Sequence, residues 1–290
     1  MSAVGTQTCY RHPNRETAVS CSSCGRPICP DCMTPTPVGM RCPECSKQRT
    51  EVRTARNLTA DPTLTFVLIG INVLVFLAEM FTGTGTQVRG ELADQFALVG
   101  TQIQGGELVG VSQGEWYRLI TGGFLHANLI HIGFNMYLLY LLGSMMEPAI
   151  GKVRFGALYF ASLLGGSLGV MLLDPFEVTV GASGAVFGLI AAGFLVERSQ
   201  GIGLFQSSLG MLLVLNLVIT FIIPNISIGG HIGGMLVGGV CGYVMLVWAP
   251  RQSSKQAANI ALGATIAIGL AAAAAAIWAA DYAVQNGALI

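Results

Sequence analysis

A chain of 290 residues could hold two soluble domains, but 52% hydrophobic and only 10% charged residues, with a mean hydropathy of +0.63, assign most of it to a lipid bilayer. Fifteen basic and fifteen acidic side chains cancel, so the net charge offers no footprint for a nucleic acid partner. The polarity is uneven: residues 9–56 are polar and hold seven of the eight cysteines, whereas the rest alternates apolar stretches with short connectors. The expected organisation is a small head at 1–48, a linker at 49–62, a membrane core of six helices at 63–249, and a further C-terminal helix and tail at 250–290.

In the head, Cys9 and His12, Cys21 and Cys24, Cys29 and Cys32, and Cys42 and Cys45 form four pairs, each with two residues inside. That spacing lets two ligands reach one tetrahedral zinc, so eight ligands predict two ions. No secretory signal pattern precedes the first apolar stretch, which starts near Thr63 behind Arg49, Arg53 and Arg56. The head is therefore expected in the cytosol, where reduced thiols favour metal over disulfides. Few apolar residues lie between the pairs, so folding should need the metal. Free or redox-active cysteines are the alternative reading. A catalytic metal is disfavoured, because no water-activating glutamate stands in a recognisable motif, and the zinc role is structural. An interleaved pairing, first with third and second with fourth, would resemble B-box and related cross-brace fingers, but spacing leaves the pairing open. Such modules usually bind proteins, so the head either has a protein partner or is a folded plug without one.

Spanning helices need about 20 apolar residues. Candidates run over 63–80, 127–146, 155–173, 182–196, 209–223 and 230–248, with an alanine-rich seventh at 257–280. With a cytosolic head, the even-numbered connectors return to the cytosol and carry Lys152, Arg154, Arg198, Arg251 and Lys255. Only Arg89 and Arg118 fall outside, in agreement with the positive-inside rule. This topology sets Ser183, His231, His126 and His131 at one depth, towards the outer surface. Polar groups there are expensive and mark function. The fourth stretch is short, which predicts that the connector after Asp174-Pro175 dips below the surface before a helix begins near Ser183. Gly184 and Gly188 on one helix, and Gly234, Gly238 and Gly242 on another, are small residues four apart, which lets helices approach through their backbones.

Trp116-Tyr117-Arg118, then His126-x4-His131-x3-Asn135, Gly181-x-Ser183-Gly184 and His231-x2-Gly234-x3-Gly238 follow one another in order. Over roughly 63–248 the chain resembles the rhomboid family of intramembrane serine proteases. The resemblance implies an all-α polytopic membrane protein, a rhomboid-like six-helix bundle to which this chain adds a seventh helix and the zinc-stabilised cytosolic domain. It implies hydrolysis by a Ser183–His231 dyad with no carboxylate and no catalytic cofactor. Phe187 would lie under the imidazole, where some relatives carry a tyrosine. The oxyanion donors would be the Ser183 amide with Asn135 and His131, Asn135 the more direct. His126, Gly181 and Gly234 would line or support the cavity; His126 could equally be an interfacial histidine. Arg118 is expected to satisfy loop carbonyls rather than bind substrate, and Cys241 to fill core. Substrates would be membrane proteins with a weak single span, and the enzyme would sit in the plasma membrane with its site opening to the extracytoplasmic side. The rival readings are a catalytically silent rhomboid-like binder of membrane clients, a zinc-headed adaptor, and a metal site built from His126, His131 and His231, which lacks a nearby carboxylate or thiol.

Overall fold

The computed structural model describes residues 7–36, 39–47, 61–82, 90–252 and 254–286. Arg49, Arg53, Arg56, Arg89 and nearly all of the expected linker lie outside the described residues. The chain divides into two compact units, 1–58 and 59–290.

The first unit is built from two-stranded hairpins rather than helices. Strand β1 (Gln7–Thr8) pairs antiparallel with β2 (Glu16–Thr17), and β3 (Thr34–Thr36) pairs with β4 (Gly39–Arg41), ahead of a one-turn helix α1 (Pro43–Lys47). Its interior is Ile28 and six cysteines, a core too small to fold on apolar burial alone. The Tyr10 hydroxyl donates to Glu44, and Arg15 pairs with Asp31 on the surface.

The second unit carries every apolar stretch as a helix. These are α2 (Thr63–Thr82), a short α3 (Glu91–Phe96), a hairpin of β5 (Gln102–Gln104) and β6 (Glu107–Val109), a single turn α4 (Arg118–Thr121), α5 (Leu129–Ile150), α6 (Lys152–Leu173), α7 (Ser183–Ser199), α8 (Ser208–Ile222), α9 (Ile228–Arg251) and α10 (Lys255–Gln285). Among the described residues, α2, α5, α6, α9 and α10 are long and apolar enough to cross a membrane, whereas α7 has 17 residues and α8 has 15. The starts are written in the sequence. Asn128, Ser207, Ser227 and Ser254 each stand just before a helix and accept a hydrogen bond from its first turn, at the heads of α5, α8, α9 and α10. Helix α5 stops at Gly151, whose φ of 82° turns the chain sharply into α6.

Helix α6 is the centre of the bundle, with 67% of its apolar window buried against 28% for α2 and α10 at the periphery. Within lipid no hydrophobic force drives helices together, so close packing must hold them. Helix α9 meets α6 through Gly229 and Gly233, set against Gly165 and Gly169, and meets α7 through Gly234, Gly238 and Gly242, set against Gly184, Gly188 and Ala192. A methyl group at any of the five α9 positions would run into facing backbone or Cβ atoms. Gly184, Gly188, Gly234, Gly238 and Gly242 are legible as small residues four apart; Gly229 and Gly233 on α9 and their counterparts on α6 were not singled out.

Two polar ties set the periphery. The buried Glu147 carboxylate on α5 accepts from the Leu64 and Thr65 amides at 2.8 and 2.7 Å and from the Thr65 hydroxyl at 2.8 Å, which caps the start of α2. Ahead of the site, Arg118 is 1% exposed; it donates to the carbonyls of Ala97 and Asp94 at 2.8 and 3.0 Å and pairs with Glu115 at 2.6 Å. It therefore braces the segment before α5. Trp116 beside it is exposed. Glu147→Ala should lower stability by about 2–4 kcal/mol, because three donors lose a buried charged acceptor. The thermal midpoint of the purified protein in detergent measures this; an unchanged midpoint would show that α2 does not depend on the cap.

Candidate active site and metal centres

The connector between α6 and α7 is held from several sides. Leu98 and Thr179 exchange backbone hydrogen bonds of 3.0 and 2.8 Å, the Gly100 amide donates to Pro175, and the Gly181 amide donates to the Gly122 carbonyl at 2.9 Å. Gly181 has a φ of 124°, a conformation that side-chain-bearing residues rarely adopt, and a Cβ there would lie 2.7 Å from both Cε1 and Nε2 of His131. The same point is 3.7 Å from Ser183 Oγ. The glycine thus lets the chain pass across the face of His131 and deliver Ser183 to the first turn of α7. The helix begins at Ser183, as the sequence suggested, so the first amides of α7 have no acceptor within the helix.

His131 has a defined proton. Its Nδ1 accepts from the Ala127 amide at 3.4 Å, so Nε2, the nitrogen turned to Gly181, carries the hydrogen. Its own amide donates to Asn128. Asn135, one turn later, donates one amide hydrogen to the His131 carbonyl at 3.0 Å. His126 is 0% exposed, which removes the reading as a histidine among headgroups; it lies edge-on to His131 with ring centroids 5.1 Å apart. Its amide donates to the buried Glu79 carboxylate at 3.2 Å, and both ring nitrogens are buried without a partner among the described residues. Its ring packs against that of His131.

On the other side of Ser183, Phe187 stacks on the His231 imidazole with centroids 4.1 Å apart and planes 19° from parallel. Ser183 and Phe187 are four residues apart on one helical face. Gly184 packs on Gly166 and on the Gly230 carbonyl, each within 3.2 Å of its Cβ position, and Gly234 packs on the Gly184 carbonyl. Serine and histidine are thus on neighbouring faces of two touching helices, although their side chains are not hydrogen-bonded to each other. His231 Nδ1 instead meets Thr220 Oγ1 of α8 at 2.7 Å. Thr220 was missed by sequence reasoning, and nothing flagged it: a threonine bonding the carbonyl four residues back, here Asn216 at 2.7 Å, is ordinary in an apolar helix. His126, His131 and His231 do not form a ligand cluster; among the described residues the metal-ligand groups are both in the head.

There the ligand atoms converge in two sets, Cys9, His12, Cys29 and Cys32, and Cys21, Cys24, Cys42 and Cys45, each within 4.8 Å. The pairing that spacing left open is interleaved. His12 Nδ1 lies 3.3 and 3.4 Å from the Cys29 and Cys32 sulfurs, and the Cys24 and Cys42 sulfurs are 3.9 Å apart. Tetrahedral ligands about 2.3 Å from a metal stand about 3.8 Å from one another, so each set fits one ion. A hydrogen bond from the Cys42 amide leads in lowering the Cys21 thiol to about 6. At Cys9 burial acts upwards, but backbone donors at Cys29, Arg11 and His12 together outweigh it and bring it to about 6 as well. Both favour the thiolate, the form that binds metal.

The body is therefore that of a polytopic helical membrane protein, with a serine and a stacked imidazole where three helices converge. A rhomboid domain matches residues 113–248. The rhomboid protease GluP of Bacillus subtilis (strain 168) is 31% identical over 196 residues, 66% of this chain and 36% of its own length. RHOMBOID-like protein 5 of Arabidopsis thaliana is 39% identical over 47% of this chain and 46% of its own. YdcA of the same Bacillus, also named as a rhomboid, is 36% identical over 46% of this chain and 71% of its own. The chain belongs to the rhomboid family, whose members are generally intramembrane serine proteases. It spans less than half the length of the first two of these relatives.

Elemental analysis of the purified protein should give two metal ions per chain, and replacing Cys21 and Cys42 together should leave one. A metal-free wild-type protein with a folded head would contradict both centres.

Proposed function

We propose that this protein is an intramembrane serine endopeptidase in which Ser183 is the nucleophile and His231 its general base. The observation that carries the reading is the Phe187–His231 stack one helical turn from Ser183, on helices whose glycines allow backbone contact. Catalytic hydrogen bonds are often loose before substrate binds, so an open Ser183–His231 pair is compatible with the role. In the reaction Ser183 Oγ bonds to the peptide carbonyl carbon as its proton passes to His231 Nε2. The charge that develops on the carbonyl oxygen is met by the Ser183 amide at the start of α7 and by His131 Nε2–H, each such donor contributing roughly 3 kcal/mol. Asn135, the more direct side-chain donor, gives one amide hydrogen to the His131 carbonyl and keeps the second for the developing oxyanion. The imidazolium then protonates the departing amine as the C–N bond breaks, and water hydrolyses the acyl-enzyme by the same groups.

Substrates are membrane proteins whose single span is weak near the site, since a helical peptide bond must unwind before attack. The chain is a multi-pass protein of the plasma membrane, its head cytoplasmic and its site opening outward, in keeping with Lys152, Arg154, Arg198, Arg251 and Lys255 on the expected inner side. The head, 1–48, holds two structural zinc ions and serves a protein partner; the linker, 49–62, joins it to the protease core at 63–249, and 250–290 adds a helix.

Ser183→Ala and His231→Ala should abolish cleavage of a reporter span in liposomes while the protein still folds. Gly181→Ala, which drives a methyl group into His131, should reduce turnover at least about tenfold. Retained turnover in Ser183→Ala would overturn the mechanism. Removing residues 1–58 should leave cleavage of a generic reporter intact if the head regulates rather than catalyses.

A further inference from the structure

The imidazole of His231 has two ring nitrogens, and a general base works only if the one facing the serine is bare. Thr220 Oγ1 lies 2.7 Å from His231 Nδ1 and 2.7 Å from the Asn216 carbonyl. The carbonyl can only accept, and the hydroxyl has a single hydrogen. Both contacts are satisfied together in one way: Thr220 donates to Asn216, and His231 Nδ1–H donates to Thr220. That places the ring hydrogen on Nδ1 and leaves Nε2 with its lone pair. Thr220 is 2% exposed and His231 is 9% exposed, so water does not readily replace this partner.

We infer that Thr220 is a positioning residue: with its hydroxyl locked onto the Asn216 carbonyl, it holds His231 in the Nδ1–H tautomer that the dyad requires, the task a carboxylate performs in three-residue sites. The inference rests on the Ser183–His231 reading for its consequence in catalysis, and on geometry alone for the tautomer. The Phe187 stack cannot do this, since a ring face restrains the plane of the imidazole and is indifferent to which nitrogen carries the hydrogen. Among the described residues, His231 has no other side-chain hydrogen-bond partner.

The test uses the full chain in lipid nanodiscs with 15N-labelled histidine, the His231 signals being assigned by their absence in His231→Ala. In the wild type the Nδ1 resonance should be that of a protonated nitrogen and Nε2 that of a bare one. Thr220→Val, which keeps the shape and removes the hydroxyl, should give mixed tautomers and lower kcat for a reporter span about fivefold with KM unchanged. Thr220→Ser should restore both the spectrum and kcat. A Thr220→Val protein with the wild-type spectrum and kcat would overturn the inference, and so would a wild type protonated at Nε2. If the wild type neither cleaves any span nor reacts with a fluorophosphonate at Ser183, the proposed function fails, yet the nitrogen spectrum still decides whether Thr220 sets the tautomer.

Discussion

Backbone-to-backbone contact along α9 is the constraint from which the rest of the body follows. A hydroxyl and an imidazole on separate helices meet only if those helices approach closer than ordinary side chains permit, and in lipid no expulsion of water forces them together. Glycines on both flanks of α9 solve this. Gly229 and Gly233 settle into α6 while Gly234, Gly238 and Gly242 settle into α7, so that one helix is held in a slot between two others. His231 lies between Gly229 and Gly233 in sequence, at the end of the slot, so the helix contact itself sets its height. The connector from α6 to α7 then has one short path to Ser183, across the His131 ring, and only a glycine fits at 181.

Head and body solve the same problem by opposite means. Neither gains enough from apolar burial in water, the head because it is small and the body because its surroundings are as apolar as its interior. In the head, seven cysteine sulfurs and the His12 imidazole converge in two interleaved sets, each spaced to hold one metal ion, whose binding would supply folding energy. In the body, dispersion between close helices does so, with Glu147 and Arg118 holding the flanks by charge-assisted hydrogen bonds. Both charges are buried and both are matched by backbone groups, which is the condition under which a buried charge is tolerable.

Much of this was legible because it repeats at fixed spacing. Apolar runs gave all seven long helices of the second unit to within a few residues, and serine or asparagine caps mark four of their starts. The ligand types and pairs of the head were equally plain, but which pair joins which is a property of chain reversal through β1–β4, and local spacing carries no record of it. The hairpins themselves escaped notice because strands of two or three residues have no period to detect. The α6 glycines, Gly165 and Gly169, were overlooked for a different reason: they lie in a glycine-rich stretch with no polar neighbour to draw attention. His126 read equally as a cavity or an interfacial histidine and is fully buried, with its amide tied to Glu79 on α2, a contact between residues 47 positions apart.

Thr220 shows the limit most clearly, since its neighbours in sequence make it look inert while its neighbour in space is the His231 imidazole. It also sits on an unusually loosely held element. Of the 15 residues of α8, only Gly210, Leu213 and Thr220 are buried. One end of the helix is tied through Ser207 and Ser208 to Glu197 on α7, and the other through Thr220 to His231. A neutral hydrogen bond contributes about 1 kcal/mol net, enough to favour one imidazole tautomer several-fold. The far end of α8 and the His231 imidazole are therefore linked through one hydroxyl.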